Sequence, residues 1–121
     1  MSTLPRSQDF WKALSAWVAS GPIKVDRPKG STHPRYPALR YPLDYGYLQG
    51  VRAGDGDHLD LWVGSKGDRE VVGIVCTLDA VKRDVEIKVL VGCTAEEMQI
   101  ALNVHNGDGQ RAILVRRPEF A

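Results

Sequence analysis

The amino-acid sequence predicts a mainly β fold with peripheral helices (α+β), closed as a small β-barrel in a single domain. Its 121 residues fall in the size range of one compact unit with one core. A composition of 43% apolar and 26% charged residues is that of a globular chain, with no polar tract too long to bury a core. The order of elements decides the class: helix, strand, long loop, several strands, helix, strand. That order fits a barrel with helices on its outside better than any alternating βαβ pattern. No internal repeat divides the chain. The domain is expected over 1–121, with a helix at 7–20, the barrel and its site over 23–91, and a helix and last strand over 94–117.

The first helix rests on Phe10, Leu14, Trp17 and Val18 at helical spacing, with Ser7 as its N-cap and Gly21-Pro22 as its stop. That spacing assigns Trp11 and Trp17 to core packing. Ile23 to Val25 makes a short strand, after which Pro28, Gly30, Pro34, Pro37 and Pro42 break regular structure as far as Tyr41. A loop of that length is uncommon in so small a domain unless it serves a site. Leu59, Leu61 and Val63 alternate with Asp60 and Trp62 as a strand, Glu70 to Leu78 forms a second run, and Val85 to Val91 a third. Thr94 and Glu97 have capping-box spacing and open a helix through Met98, Ala101, Leu102 and His105, which Asn106-Gly107 closes. Ala112 to Val115 is the last strand.

Several function classes lose support at this level. Formal charge is only +1 and no aromatic stacking platform is evident, so no nucleic-acid partner is expected. No apolar run approaches the roughly 20 residues that span a bilayer, so no membrane partner is expected either. Asp9 and Lys12 interrupt the first apolar segment where a signal peptide would be unbroken, which predicts a cytoplasmic protein. Cys76 and Cys93 lie far apart and outside any C-x-x-C arrangement, and read as buried thiols. His33 and His105 read as structural or solvated.

The chemistry concentrates in the middle of the chain. Lys24, Arg27, Lys29, Arg35, Arg40 and Arg52 crowd the stretch before an acidic turn, Asp55-Gly56-Asp57-His58-Leu59-Asp60. Three carboxylates so close repel one another, and a hard divalent cation among them relieves the repulsion; carboxylate and water are what Mg2+ prefers. The spacing does not match an EF-hand beyond its first two aspartates. A solvated acidic turn is the competing reading on spacing alone. Tyr41-Pro42-Leu43-Asp44-Tyr45-Gly46-Tyr47 comes just before, and Asp79 and Asp84 bracket a turn between two later strands.

With these motifs in place, the region from about Ile23 to Val91 resembles the family I soluble inorganic pyrophosphatases. Their signature is Asp-x-Asp-Pro-hydrophobic-Asp, preceded by a Tyr-Pro-x-Asn-Tyr-Gly-Tyr-like segment. The resemblance implies an OB-like barrel and Mg2+-dependent hydrolysis of pyrophosphate to two phosphates, with Mn2+ as the alternative ion. It implies metal ligation by Asp55, Asp57, Asp60, Asp79 and Asp84, with Asp57 also the general base toward the attacking water. Tyr45 would hydrogen-bond the phosphate, and Asp26, where the family has a glutamate, would be a further acidic site residue. Arg35, where the family keeps a lysine, and Arg40 would bind substrate. Pyrophosphate or phosphate is the implied partner, and a homo-oligomer is compatible with the family.

This chain departs from the family pattern at several positions. Pro37 takes the place of a family glutamate, Asp44 of an asparagine and His58 of a proline, which leaves His58 to act as a proton relay, a ligand for a softer metal or a plain exposed imidazole. Where a family lysine is expected stands Glu86, and Lys88, next on the same strand face, is the candidate substitute. Arg116 and Arg117 are candidates to return positive charge to the site. Two further functions compete with pyrophosphate hydrolysis: a catalytically impaired phosphate-binding or assembly module, and a hydrolase of another phosphoanhydride.

Overall fold

A computed structural model describes residues 4–119. The elements are α1 (Leu4–Ser20), β1 (Ile23–Arg27), β2 (Asp44–Arg52), β3 (His58–Val63), β4 (Val71–Asp79), β5 (Asp84–Val91), α2 (Ala95–Val104) and β6 (Gln110–Arg116). All six strands form one sheet in the order β1-β2-β3-β5-β4-β6. Only β3 and β5 run parallel; every other neighbouring pair is antiparallel. The mainly β architecture with two helices agrees with the expectation from sequence. Closure does not follow, because β1 and β6 remain the two edges of the sheet.

One strand was hidden in the sequence. Asp44–Arg52 is a nine-residue strand, whereas its Tyr-Gly-Tyr segment reads as a functional motif with no strand periodicity. Glycine at its centre lowers strand propensity, but the position requires it: a Cβ on Gly46 would lie 1.9 Å from the carbonyl oxygen of Lys24. The close approach of β1 to β2 therefore excludes any side chain there.

Each face of the sheet carries a helix. On one face Trp11, Leu14 and Val18 of α1 pack with Leu48, Leu59, Leu61, Val71, Ile74, Val89 and Val91. Trp17 and Phe10, expected in that core, are about half exposed. The buried stripe takes Trp11, Leu14 and Val18, spaced three and four apart, and Trp17 falls to its side. Ser7 is not the N-cap, since α1 already begins at Leu4. The guanidinium of Arg69 accepts the role of a clasp at the other end, donating to the carbonyls of Val18 and Gly21.

On the opposite face Met98 and Ala101 of α2 pack with Tyr41, Leu43, Trp62, Val75, Leu90 and Cys93. Both halves of the capping box form: Thr94 Oγ1 accepts from Glu97 N, and Glu97 Oε1 accepts from Thr94 N. Glu97 also accepts from Ser65 N, which ties the β3–β4 connection to the start of α2. β5, central in the sheet and covered on both faces, buries four consecutive residues from Lys88 to Val91. Lys88 is the single charge in that run, and its position governs the site. Arg117 does not return charge there. It packs against Ser15 Oγ and the carbonyl of Val71, on the α1 side.

Candidate functional site

Side chains alternate across a strand, so residues paired in register share a face. On the α2 face Tyr45 and Tyr47 of β2 stand opposite Trp62 and Asp60 of β3. Trp62 lies beside Leu90 of β5, and two residues back on each strand come Asp60 and Lys88. On β4, Val75, Thr77 and Asp79 stand opposite Lys88, Glu86 and Asp84. Asp79 is in turn opposite Gln110 of β6. The sheet thus collects Asp60, Asp79, Asp84, Glu86 and Lys88 on one surface, beyond the part that α2 covers.

Lys88 is its centre, with a side chain only 8% exposed. Nζ donates to Asp60 Oδ2 at 2.7 Å and to Glu86 Oε2 at 3.0 Å, and lies 5.9 Å from the centroid of the Tyr45 ring. The Tyr45 hydroxyl donates to the same Asp60 oxygen at 3.0 Å. Burial works against the charge on Lys88, but Tyr45, Asp60 and Glu86 outweigh it and raise its pKa. Burial also raises the Tyr45 phenol, which stays a donor. Removing Lys88 would leave both partly buried carboxylates without their counter-charge, which is destabilising.

The acidic turn is held by its own backbone. Ala53 N donates to Asp57 O at 2.8 Å and Gly56 N to Ala53 O at 3.0 Å, while Asp55 Oδ1 accepts from Asp57 N at 3.0 Å. Gly56 takes φ +89°, a left-handed conformation in which glycine carries no strain. This geometry brings the Asp55 carboxyl within hydrogen-bond reach of that of Glu86. The contact pushes the Glu86 pKa up and the Asp55 pKa down. The Asp57 carboxylate is exposed and, among the described residues, makes no hydrogen bond.

Asp79 and Asp84 face each other at the end of the β4–β5 hairpin, as their bracketing of a turn implied. The Asp79 carboxylate caps that turn: Oδ1 accepts from the backbone N–H groups of Lys82 and Val81, both at 2.9 Å, and Oδ2 from Gln110 Nε2 at 3.4 Å. These bonds, the backbone N–H of Lys82 first, lower its pKa.

Of the residues singled out in the sequence, the structure therefore brings Asp55, Asp60, Tyr45 and Lys88 into one contact network, with Asp57 on the turn beside it and Asp79 and Asp84 along the same face. Among the described residues, no three of His, Cys, Asp and Glu converge closely enough to hold a metal ion. Asp26 is exposed at a bulge between β1 and β2. Arg35 and Arg40 lie on the loop before β2, which folds on itself through a Thr32–Arg40 bridge. Arg40 Nη1 donates to Gly30 O, and neither arginine forms an ion pair among the described residues. His58 stacks on Tyr47 at 4.4 Å between centroids, which accounts for it without a metal or a proton relay.

Two contributors to this face, Glu86 and Gln110, are not among the site residues expected from sequence. Glu86 was noted only as a departure, although strand parity from Lys88 already puts it on the same face. Lys24 and Arg27 share the face of Tyr47 and Tyr45 through the β1–β2 register. Gln110 reaches Asp79 only because β6 docks on β4, and nothing in the sequence signals that pairing. On the opposite face, an apolar groove of about 390 Å³ runs along α1, lined by Phe10, Leu14, Trp17, Val51, Leu59 and Ile87, with Asp55 and Glu86 at its rim. Asp55 and Glu86 thus border this groove as well as the acidic face.

A family model described as Inorganic Pyrophosphatase matches residues 19–112 of the chain. No curated protein matches it. A solved structure of an inorganic pyrophosphatase (ppa) from Coxiella burnetii is similar, with 18% identity and a TM-score of 0.44, over 78% of this chain and 76% of that one.

Proposed function

We propose, since this chain belongs to the inorganic pyrophosphatase family, that it hydrolyses inorganic pyrophosphate to two phosphates with Mg2+, Mn2+ being the alternative ion. What supports this reading is the gathering of Asp60, Asp79, Asp84 and Glu86 on one surface of the sheet, beside the turn that carries Asp55 and Asp57. Their donors are all carboxylate oxygens, the chemistry that a hard divalent cation takes, though among the described residues no three of these groups converge on one point. Asp55, Asp57 and Asp84 would be its ligands, since Asp60, Glu86 and Asp79 are engaged by hydrogen bonds of their own. When bound, the ion supplies neutralisation of phosphate charge and a lowered pKa for water.

The remaining work falls to the side chains. Asp57, on a turn fixed by its backbone bonds, accepts the proton of the attacking water. Tyr45 holds the Asp60 carboxylate in place rather than reaching for phosphate, since its hydroxyl already donates there. Lys24 and Arg27, on the face of the two tyrosines, meet the phosphate oxygens together with Arg35 and Arg40 from the loop; arginine grips such oxygens bidentately. The free thiols Cys76 and Cys93 suit a reducing compartment such as the cytoplasm.

One observation favours a second reading. The Lys88 ammonium already sits between Asp60 and Glu86, which fits a phosphate-binding module that kept the fold without the turnover. Phosphate release from pyrophosphate, assayed with Mg2+, Mn2+ or EDTA and beside ATP, separates the readings. Metal-dependent release from pyrophosphate in preference to ATP supports the pyrophosphatase. Preference for ATP points to another phosphoanhydride, and no release with either ion leaves the binding module.

A further inference from the structure

Asp60 on β3 and Glu86 on β5 are both partly buried on this face, and the space between their inner oxygens is filled by the Lys88 ammonium. We infer that Lys88 is an internal counter-cation: its ammonium takes the position between Asp60 Oδ2 and Glu86 Oε2 that a divalent ion would otherwise bridge, and so keeps such an ion out of it. The inference rests on the reading of this face as a divalent-cation site.

The geometry leaves the ammonium little freedom. It is bonded to both carboxylates at 2.7 and 3.0 Å, with the face of the Tyr45 ring on a third side. An ammonium has three donors, and two are directed to carboxylates. The aliphatic stem is buried in the central strand, between the β3 and β4 neighbours of β5. A divalent ion binds carboxylate oxygens at about 2.0–2.6 Å, so it enters between these two only by displacing the ammonium. Reaching outward to a phosphate would require Lys88 to abandon both anions in a poorly solvated position, at the cost that leaving them unpaired carries.

The alternation of the strand explains how the sequence builds this. Glu86 and Lys88, two residues apart, point to the same side, and Lys88 comes level with Asp60. Charge makes the same point: one ammonium offsets part of the charge of the two carboxylates that it bonds. The inner position is satisfied by the chain itself.

The test counts Mn2+ ions bound per chain at equilibrium, from the electron paramagnetic resonance signal of the free ion, for the wild type and Lys88→Met. The variant is expected to take up about one ion more than the wild type, because two carboxylate ligands are released. Equal counts overturn the inference. If circular dichroism shows that Lys88→Met does not fold, Asp60→Asn decides. Its count is expected to equal that of the wild type, since Asp60 is already committed to Lys88, and a loss of one ion overturns the inference. A wild type that binds no Mn2+ removes the metal-dependent hydrolase reading, while the gain of an ion by Lys88→Met, or its absence, still decides the role of Lys88.

Discussion

The indole N–H of Trp62 donates to Nε2 of His105 at 3.1 Å, in the core beneath α2. Because Nε2 accepts, the ring proton of neutral His105 lies on Nδ1, which faces Oε1 of Gln110 at 3.2 Å. Gln110 Nε2 then donates to Asp79 Oδ2. A directed series of hydrogen bonds thus runs from a fully buried tryptophan to the acidic face. Trp62 also packs edge-on against Tyr45 at 4.5 Å, so one indole orients both the phenol that holds Asp60 and the imidazole that leads to Asp79.

His105→Ala would leave the indole N–H and the Gln110 amide without their partner. Each buried polar group stranded in this way costs about 1–3 kcal/mol. Urea unfolding is expected to show a loss of at least that size, with an unchanged m-value. A midpoint equal to that of the wild type would remove the series from the account.

The same histidine makes stability depend on pH. Burial, foremost, lowers its pKa, so the folded chain binds fewer protons there than the unfolded chain, whose histidine titrates near about 6.5. Its contribution is therefore complete above that value and is lost as pH falls below it toward the lowered one. The drop in urea midpoint between pH 7.5 and 5.5 should be larger for the wild type than for His105→Asn.

The sequence made much of this architecture legible. Alternation announced β3, the capping box announced the start of α2, and the Gly21-Pro22 stop announced the end of α1, because each is a local rule obeyed by local residues. β2 escaped because its glycine answers to the carbonyl of Lys24 on another strand and not to propensity. Trp17 was misplaced because it lies one step beside the stripe that α1 buries. For the site, spacing alone put Asp79 and Asp84 at one hairpin. The exchange between Glu86 and Lys88 became visible only when the parallel pairing of β3 and β5 brought Asp60 alongside. Gln110 lay beyond reach entirely, since its contact depends on which strand β6 joins.

Gly46→Ala tests the close approach of β1 to β2. A methyl group 1.9 Å from the Lys24 carbonyl oxygen cannot be accommodated without moving a strand, and overpacking of this kind costs about 1–3 kcal/mol or more. Gly54→Ala is the control, because nothing lies within 4 Å of its added Cβ; a change within about 0.5 kcal/mol is expected there. Equal melting temperatures for the two variants would contradict the strand contact.

Cys93 offers a chemical readout of the α2 core. Burial, with the nearby Glu97 carboxylate adding to it, pushes its thiol up to about 12. In a Cys76→Ser background, the remaining thiol should resist an aromatic disulfide reagent at pH 8 in buffer and react when urea unfolds the chain. Fast reaction of the native protein would show that α2 does not cover it.

The most direct test of the central claim is the rate of phosphate release from pyrophosphate by Asp57→Asn against the wild type, both in Mg2+ and both shown folded by circular dichroism. Asp57 is exposed and bonds through no side-chain atom to the rest of the turn among the described residues, so the fold should survive the change. Removing the group that takes the proton from water predicts a fall of about 10²-fold or more. Equal rates in the two proteins would contradict the assignment of hydrolysis to this face.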